Sequence, residues 1–210
     1  MSVISVNVGR SFDAEWAGRL KRTAIDKRPA EGRVPVRRLG LAGDEQADTA
    51  NHGGTYQAVY AYAREDLDWW EGELGYTVRA GAFGENLTLR GVDTSTALIG
   101  EHWRVGTAVV EVAQPRIPCS VFRNWMDEKG WVKRFVSEAR AGAYLSVIEE
   151  GDVAAGDPVE MLSRPEHEIT LRDVFRTFYG DEDMLEALRT TPDLPPDVRA
   201  LAESDGTTAP

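Results

Sequence analysis

The first 162 residues consist of short apolar runs, rich in β-branched and aromatic residues, that are separated by glycine-containing turns. Such runs are typical of β-strands, because branched and aromatic side chains pack well on a pleated surface. Pairs such as Gly151-Asp152 and Gly156-Asp157 supply the turns expected between neighbouring antiparallel strands. The pattern predicts strands at residues 3–8, 34–38, 57–62, 86–89, 102–113, 144–148 and 158–162.

Two helices interrupt this series of strands. Residues 64–74 carry apolar side chains at helical spacing and end at Gly75, and residues 131–140 show the same period before Gly142. Many short strands with few crossover helices favour a closed or nearly closed sheet, because closure removes exposed strand edges. We therefore predict a mainly β fold, an antiparallel β-barrel with peripheral helices.

The pattern becomes helical after residue 162. Thr170 is a predicted N-cap for a helix that runs towards Gly180, and further helices are predicted over residues 182–189 and from Pro196. Helices of this length are not stable alone, so we expect them to bundle or to dock on the barrel. The predicted organisation is a barrel domain over residues 1–162, a three-helix domain over 163–203 and a flexible tail over 204–210.

The composition and charge of the chain exclude some classes of function. Hydrophobic residues make up 42% of the 210-residue chain and charged residues 28%, which is enough apolar surface for a core. The net charge of −11 repels polyphosphate backbones and argues against nucleic acid as a partner.

The single cysteine, Cys119, leaves no intramolecular disulfide and fits a reducing compartment, so we expect a cytoplasmic protein. Neither an export signal nor an apolar membrane-spanning run is present in the sequence.

The first candidate binding segment is a polar loop rich in glycine, Asp, Asn and His. It runs through Gly43-Asp44-Glu45-Gln46-Ala47-Asp48 to Asn51-His52-Gly53-Gly54. Adjacent glycines let backbone amides approach an anion closely, whereas a lone His52 is a weak indication of a metal ligand. A solvated connection and an anion-binding loop remain alternatives.

The second candidate segment leads into a predicted strand at residues 86–89. It places Glu85 and Asn86 at the mouth of the barrel, where a carboxylate and an amide can hold the polar edge of a heterocycle. The alternative is a turn in which these two side chains cap backbone groups.

The third candidate segment, Gln114-Pro115-Arg116-Ile117-Pro118-Cys119, follows the predicted strand at residues 102–113. Two prolines stiffen it, and the cation of Arg116 favours the thiolate form of Cys119 as a nucleophile or a soft-metal ligand. The alternative is a buried, inert cysteine. One thiolate cannot hold a metal alone, so a metal bound here needs ligands from outside the chain.

Five motifs together resemble the MOSC domain, which is named after the C-terminal part of molybdenum cofactor sulfurase. The helical tail resembles the three-helix domain that follows MOSC in the bacterial YiiM-like branch, which includes reductases of N-hydroxylated purines such as 6-hydroxylaminopurine. The resemblance covers about residues 30–200. The motifs are Gly43-Asp44-x-x-x-Asp48, His52-Gly53-Gly54, Gln57-Ala58-Val59-Tyr60, Gly84-Glu85-Asn86-Leu87-Thr88 and Pro115-Arg116-x-Pro118-Cys119, with Leu171-x-x-Val174-Phe175-x-x-Phe178-Tyr179-Gly180 in the tail.

The resemblance implies a barrel that binds molybdopterin, with Cys119 as a thiolate ligand of molybdenum. It also implies an oxidoreductase that reduces N-hydroxylated substrates, with the oxygen leaving as water. Because a lone cysteine cannot hold an iron–sulfur cluster, the electrons must come from a separate flavin or iron–sulfur protein. Asp44 and Asp48 are expected to shape the loop rather than to touch an anionic cofactor. The predicted cofactor-binding residues are Arg116, His52, Gly53, Gln57, Glu85, Asn86, Arg37 and Arg38.

Two other functions stay open at this point. Cys119 can carry a persulfide for sulfur transfer, or the chain can be a molybdopterin carrier without turnover. The expected partners are a small-molecule substrate and the electron donor, with no nucleic acid and no membrane. The substrate, the donor and the oligomeric state, a homodimer included, are not fixed by the sequence.

Overall fold

The protein is described by a computed structural model over residues 1–48, 53–192 and 194–203. The candidate ligand His52 and the predicted tail at 204–210 lie outside the described residues. The helices are α1 (Arg64–Leu74), α2 (Ser120–Met126), α3 (Trp131–Glu138), α4 (Leu171–Thr177), α5 (Leu185–Thr190) and α6 (Pro196–Glu203). The strands are β1 (Ser2–Val8), β2 (Phe12–Asp13), β3 (Arg22–Thr23), β4 (Arg28–Pro29), β5 (Val34–Arg37), β6 (Gly40–Leu41), β7 (Val59–Ala63), β8 (Leu87–Arg90), β9 (His102–Val105), β10 (Ala108–Pro115), β11 (Ala143–Glu149), β12 (Gly151–Val153) and β13 (Val159–Ser163).

Seven strands form a closed ring in the order β13-β9-β10-β11-β7-β8-β1. A bridge between Ser2 and Pro158 closes the ring, and the backbone N–H of Val3 donates to the carbonyl of Asp157 at 2.9 Å. β4 extends the sheet at the far end of β1, and β5 forms a small sheet with β6 and β12. The predicted barrel with peripheral helices is confirmed.

One strand pair departs from the antiparallel arrangement. β7 and β8 run parallel, with Ala61 opposite Leu87. A parallel pair needs a crossover, and α1 provides it by carrying the chain from the end of β7 back towards the start of β8.

The run at residues 102–113, expected as one strand, is two strands. β9 ends at Val105, the chain reverses at Gly106 and Thr107, and β10 pairs antiparallel with β9. Gly106 has a φ of +61°, and a Cβ there would lie 2.4 Å from the carbonyl oxygen of Asp152. The tight turn therefore depends on glycine.

The core has two parts. One fills the barrel with aliphatic side chains from every strand of the ring. The other is an aromatic cluster between the barrel wall and the helices, in which the rings of Trp70 and Trp131 lie 4.7 Å apart and those of Phe122 and Phe135 lie 5.2 Å apart. This cluster fixes α2 against the barrel through Phe122, which is fully buried.

Side chains of the last three helices pack into both parts of the core. Thr170 caps α4 as predicted, because its side chain accepts from the backbone of Asp173 while the Asp173 carboxylate accepts from the backbone of Thr170. Leu171 donates a backbone hydrogen bond to Ala97 at 2.9 Å, and Phe175 packs 6.1 Å from Phe135. The helices therefore dock on the barrel. The division into domains at residue 162 stays a prediction.

Among the described residues, no helix combines the length and the apolar character that crossing a membrane requires.

Gly142→Ala is expected to lower the free energy of unfolding by about 3 kcal/mol. Gly142 has a φ of +70°, and an added Cβ would lie 2.6 Å from the ring of Tyr62 and 2.7 Å from the carbonyl oxygen of Ala61. Urea denaturation measures the change.

The matched control is Gly72→Ala in α1, where an added Cβ meets no atom within 4 Å. Because glycine is a poor helix former, this variant is expected to gain about 0.5–1 kcal/mol. Equal effects of the two substitutions would contradict the close packing described for Gly142.

Candidate functional site

A cavity of about 800 Å³ opens where the end of β10, the polar loop before residue 48 and the last helices meet. Its size suits a cofactor or a drug-sized ligand. Five of the predicted site residues lie in its wall: Gly53, Gln57, Asn86, Arg116 and Cys119.

Cys119 lies in the wall of the cavity and is half-buried. The extended segment that carries it starts at Pro115, the last residue of β10, and passes through Pro118 to the first turn of α2. Because proline fixes φ, the sulfur is held in a narrow range of positions. The structure does not show the buried cysteine that was the alternative from the sequence, because Cys119 is only partly buried.

Arg116 is buried, with 6% of its surface exposed, and its electrostatic interactions include Cys119. Its Nη1 donates to the carbonyl oxygen of Phe83 at 2.9 Å, and the guanidinium lies 4.4 Å from the ring centroid of Phe122. Burial alone would lower the pKa of Arg116, but attraction to Tyr144 and other neighbours, Cys119 included, raises it above its usual value. A permanent cation is therefore fixed beside the thiol.

A buried ion pair between Lys27 and Asp44 forms another part of the wall. The Lys27 Nζ lies 2.5 Å and 2.6 Å from the two carboxylate oxygens, which also accept from the backbone of Gly9 and from the Asn86 amide. Burial lowers the pKa of Lys27 from its usual value, and Asp44 opposes that shift. Sequence reasoning missed Lys27, because no local motif marks it and its partner lies 17 positions away.

Glu85 does not line the cavity. Its carboxylate is fully buried and accepts from the backbone of Gly81 at 2.5 Å, from the backbone of Phe83 at 3.0 Å and from the hydroxyl of Thr88 at 2.9 Å. Burial raises the pKa of Glu85. The geometry is that of the turn-capping alternative, and the neighbouring Asn86 alone reaches the cavity wall.

Arg37 and Arg38 lie outside this cavity. Arg37 faces β12, where its Nη1 donates to the carbonyl oxygen of Gly151 at 3.4 Å, and the backbone of Arg38 donates to Glu150. The structure therefore does not bring these two predicted cations to the thiol. Three other arginines line the cavity and had no recognisable signal in the sequence: Arg19, Arg22 and Arg123.

Gly53 and Gln57 meet in the polar loop. The backbone N–H of Gly53 donates to the side-chain oxygen of Gln57 at 3.2 Å. Gly53 has a φ of +124°, a conformation that favours glycine, and a Cβ there would also require the side chain of Gln46 to move. Within the described residues, no group of three or more His, Cys, Asp and Glu side chains could hold a metal ion. A metal bound at Cys119 would need further ligands from outside the described residues.

A closed β-barrel with a thiol and a fixed cation in the wall of one large cavity defines a ligand-binding barrel domain. The family model described as the MOSC domain matches residues 48–160. The chain belongs to the MOSC domain family, whose domain type binds the molybdenum cofactor.

Relatives of known sequence or structure agree with this assignment. The uncharacterized protein YflK of Bacillus subtilis is 38% identical over 187 residues, which cover 89% of this chain and 85% of YflK. A protein named Reductase from Gibberella moniliformis is 31% identical over 199 residues, 92% of this chain but 35% of that protein. The crystal structure of YiiM from Geobacillus stearothermophilus matches with a TM-score of 0.81 and 27% identity over 98% of this chain and 99% of that one. The YiiM-like branch is confirmed.

Lys27→Met is expected to lower the free energy of unfolding by about 3–5 kcal/mol, because it leaves the buried carboxylate of Asp44 without its cation. The double variant Lys27→Met/Asp44→Asn is expected to recover part of the loss. Urea denaturation at neutral pH measures the free energy of unfolding of the wild type, the single variant and the double variant.

The control is Lys21→Met, which removes the exposed ion pair with Glu15 and is expected to change stability by less than about 1 kcal/mol. A Lys27 variant as stable as this control would contradict the prediction that the Asp44 carboxylate is costly here without its cation.

Proposed function

We propose that this chain is a molybdenum-cofactor-dependent reductase of N-hydroxylated compounds, N-hydroxylated purines among them, with Cys119 as the protein ligand of molybdenum. The observation that carries the proposal is the position of Cys119. Its thiol lies in the wall of the large cavity, beside a buried arginine whose charge acts on it. Membership of the MOSC family and the relative named Reductase support a redox function.

The residues present fit the cofactor. A thiolate is a soft ligand and suits molybdenum. Two buried polar atoms beside the cavity, Nε of Arg116 and the side-chain oxygen of Gln114, have no hydrogen-bond partner within the described residues. Such orphaned groups are costly unless a ligand or water satisfies them. Arg19, Arg22 and Arg123 place positive charge in the same wall, which suits a phosphate.

When bound, the molybdenum cofactor supplies the two-electron chemistry that converts an N–OH group and two protons into an amine and water. Arg116 places a buried positive charge beside the Cys119 sulfur and favours its ionised form. Pro118 limits the backbone conformation that sets the direction of the thiol. The aromatic cluster behind Arg116 excludes water, which strengthens the electrostatic effect of the guanidinium on the sulfur.

The separate electron donor remains part of the proposal. No described group of residues in this chain could hold an iron–sulfur or other redox metal centre by itself. We expect the electrons to come from a flavin or iron–sulfur protein, and a reduced artificial dye to replace that protein in the assay.

Cys119→Ser, made in a host that synthesises molybdopterin, is expected to lose most of the bound molybdenum and the reduction of 6-hydroxylaminopurine by a reduced dye. Oxygen is a harder ligand than sulfur and binds molybdenum less well in its reduced form. Elemental analysis and product formation measure the two effects. Unchanged molybdenum content would refute the ligand assignment.

Arg116→Lys is expected to lower metal content or activity by about 10–100-fold, as is usual when a partner of a metal ligand is replaced. The control is Arg104→Lys, at an exposed ion pair with Glu160 on the outside of the barrel. Thermal unfolding confirms that both variants fold. Wild-type activity in the folded Arg116 variant would contradict the role given to the guanidinium.

Two results on the wild type would replace the proposal. Cyanide-labile sulfur on Cys119 without molybdenum would identify a sulfur carrier. Bound molybdenum with no reduction of N-hydroxylated compounds would identify a cofactor carrier.

A further inference from the structure

The docked helices complete the wall of the cavity. Phe178, directly after α4, and Asp197, in the first turn of α6, line it together with residues of the barrel. The last helices therefore bring an aromatic ring and a carboxylate to the same space as the thiol of Cys119.

Asp197 differs from the other carboxylates of the wall. Asp44 pairs with Lys27, Glu45 accepts from Ser11, and Asp48 also has a partner. In the part of the chain that the structure describes, the contact of Asp197 is one long hydrogen bond of 3.4 Å from the side-chain amide of Gln114. It has no cationic partner there.

Gln114 provides the second acceptor. Its side chain is buried, with 6% of the residue exposed, and its side-chain oxygen has no hydrogen-bond partner in the described structure. The same amide donates towards Asp197, so an unsatisfied amide oxygen and a carboxylate without a cationic partner among the described residues lie side by side in the cavity wall. An acceptor left unsatisfied in this way is costly until a donor reaches it.

The two acceptors line the same cavity as the thiol. Gln114 is directly opposite Tyr144 in the pairing of β10 with β11, and side chains opposite each other lie on the same face of a sheet. Tyr144 also lines the cavity, and its electrostatic interactions are with Arg116 and Cys119. A ring held at Gln114 and Asp197 would therefore occupy the cavity that Cys119 also lines.

We propose that Gln114 and Asp197 form a subsite for a heterocycle that presents a ring N–H beside an exocyclic amino group. Two adjacent acceptors match two adjacent donors, and a carboxylate is the stronger of the two acceptors. The edge is the one shared by guanine and pterin. This proposal deepens the proposed function, because the ligand is either the pterin of the cofactor or a substrate purine that carries a 2-amino group, which 6-hydroxylaminopurine does not.

The first experiment uses the full chain from a host that lacks molybdopterin. Pterin is titrated by its own fluorescence, and guanosine and inosine are compared as competitors, since inosine lacks the amino group. Guanosine is expected to compete at least about tenfold better than inosine, because one unmatched acceptor is enough to discriminate to this degree. Equal competition by the two nucleosides, or no binding of pterin, would overturn the proposal.

Asp197→Asn is expected to abolish the preference for guanosine, because the amide offers one acceptor and one donor. Glu203→Gln, which makes the same change of charge at an exposed position at the end of α6, is the control and is expected to keep it. A preference that survives in Asp197→Asn would overturn the proposal.

Gln114→Met separates a binding role from a structural role. Removing an orphaned buried acceptor is expected to leave the unfolding temperature of the ligand-free chain unchanged or higher, while the affinity for pterin falls. A lower unfolding temperature with unchanged affinity would make Gln114 a structural residue and contradict the proposal.

The second experiment identifies the source of the heterocycle. Oxidised pterin is quantified in wild type and Asp197→Asn from a molybdopterin-competent host. A loss of pterin in the variant assigns the subsite to the cofactor, and unchanged pterin with weaker guanosine binding to the loaded chain assigns it to the substrate. Because the first experiment needs neither molybdenum nor turnover, the subsite stands or fails independently of the proposed reductase activity.

Discussion

The candidate site depends on the burial of one cation. Arg116 lies between the rings of Tyr60 and Phe122, at 5.3 Å and 4.4 Å, and donates to the backbone of Phe83. Removing a guanidinium from water is costly unless hydrogen bonds and π faces replace the solvent, and here they do so only in part, because Nε is unsatisfied. The neighbours of Arg116 therefore do not fully compensate its positive charge, and that charge acts on the Cys119 sulfur.

The aromatic cluster explains why this arrangement is stable. Phe122 belongs to α2, which starts immediately after Cys119, and it packs against both Trp131 and Phe135 of α3. Close-packed interiors resist small displacements, so the helix that follows the thiol cannot shift without disturbing the whole cluster. Residues of strands β10 and β11 form the opposite wall of the cavity. Barrel, helices and thiol segment therefore constrain one another, and the cavity between them is a consequence of that packing.

Short sequence patterns predicted the helix bounds and caps that depend on interactions between residues close in sequence. The bounds of α1 agree with the residues 64–74 expected from the apolar period, because Gly75 ends the helix in the left-handed conformation. The cap of α4 at Thr170 was found in the same way. The turn at Gly106 was missed because two residues between apolar runs leave the alternation almost unbroken. Helix α2, as short as α4, was missed because it lacks a capping signal: its N-cap is Cys119, which makes no side-chain cap hydrogen bond.

The site was predictable only where its residues are close in sequence. Cys119 and Arg116 belong to one stiff segment, so their proximity follows from local geometry. Arg37 was assigned to the site because it precedes the polar loop, but pairing of β5 with β12 directs it elsewhere. Lys27 and Asp197 reach the cavity through contacts across the fold, which no spacing in the sequence indicates.

The direct test of the account is X-ray absorption at the molybdenum edge of the loaded protein, because it counts the sulfur atoms bound to the metal. The account predicts that molybdenum in Cys119→Ser, at whatever occupancy remains, has one sulfur neighbour fewer than molybdenum in the wild type. An identical sulfur shell in the two proteins would show that the thiol of Cys119 is not a ligand and would contradict the central claim.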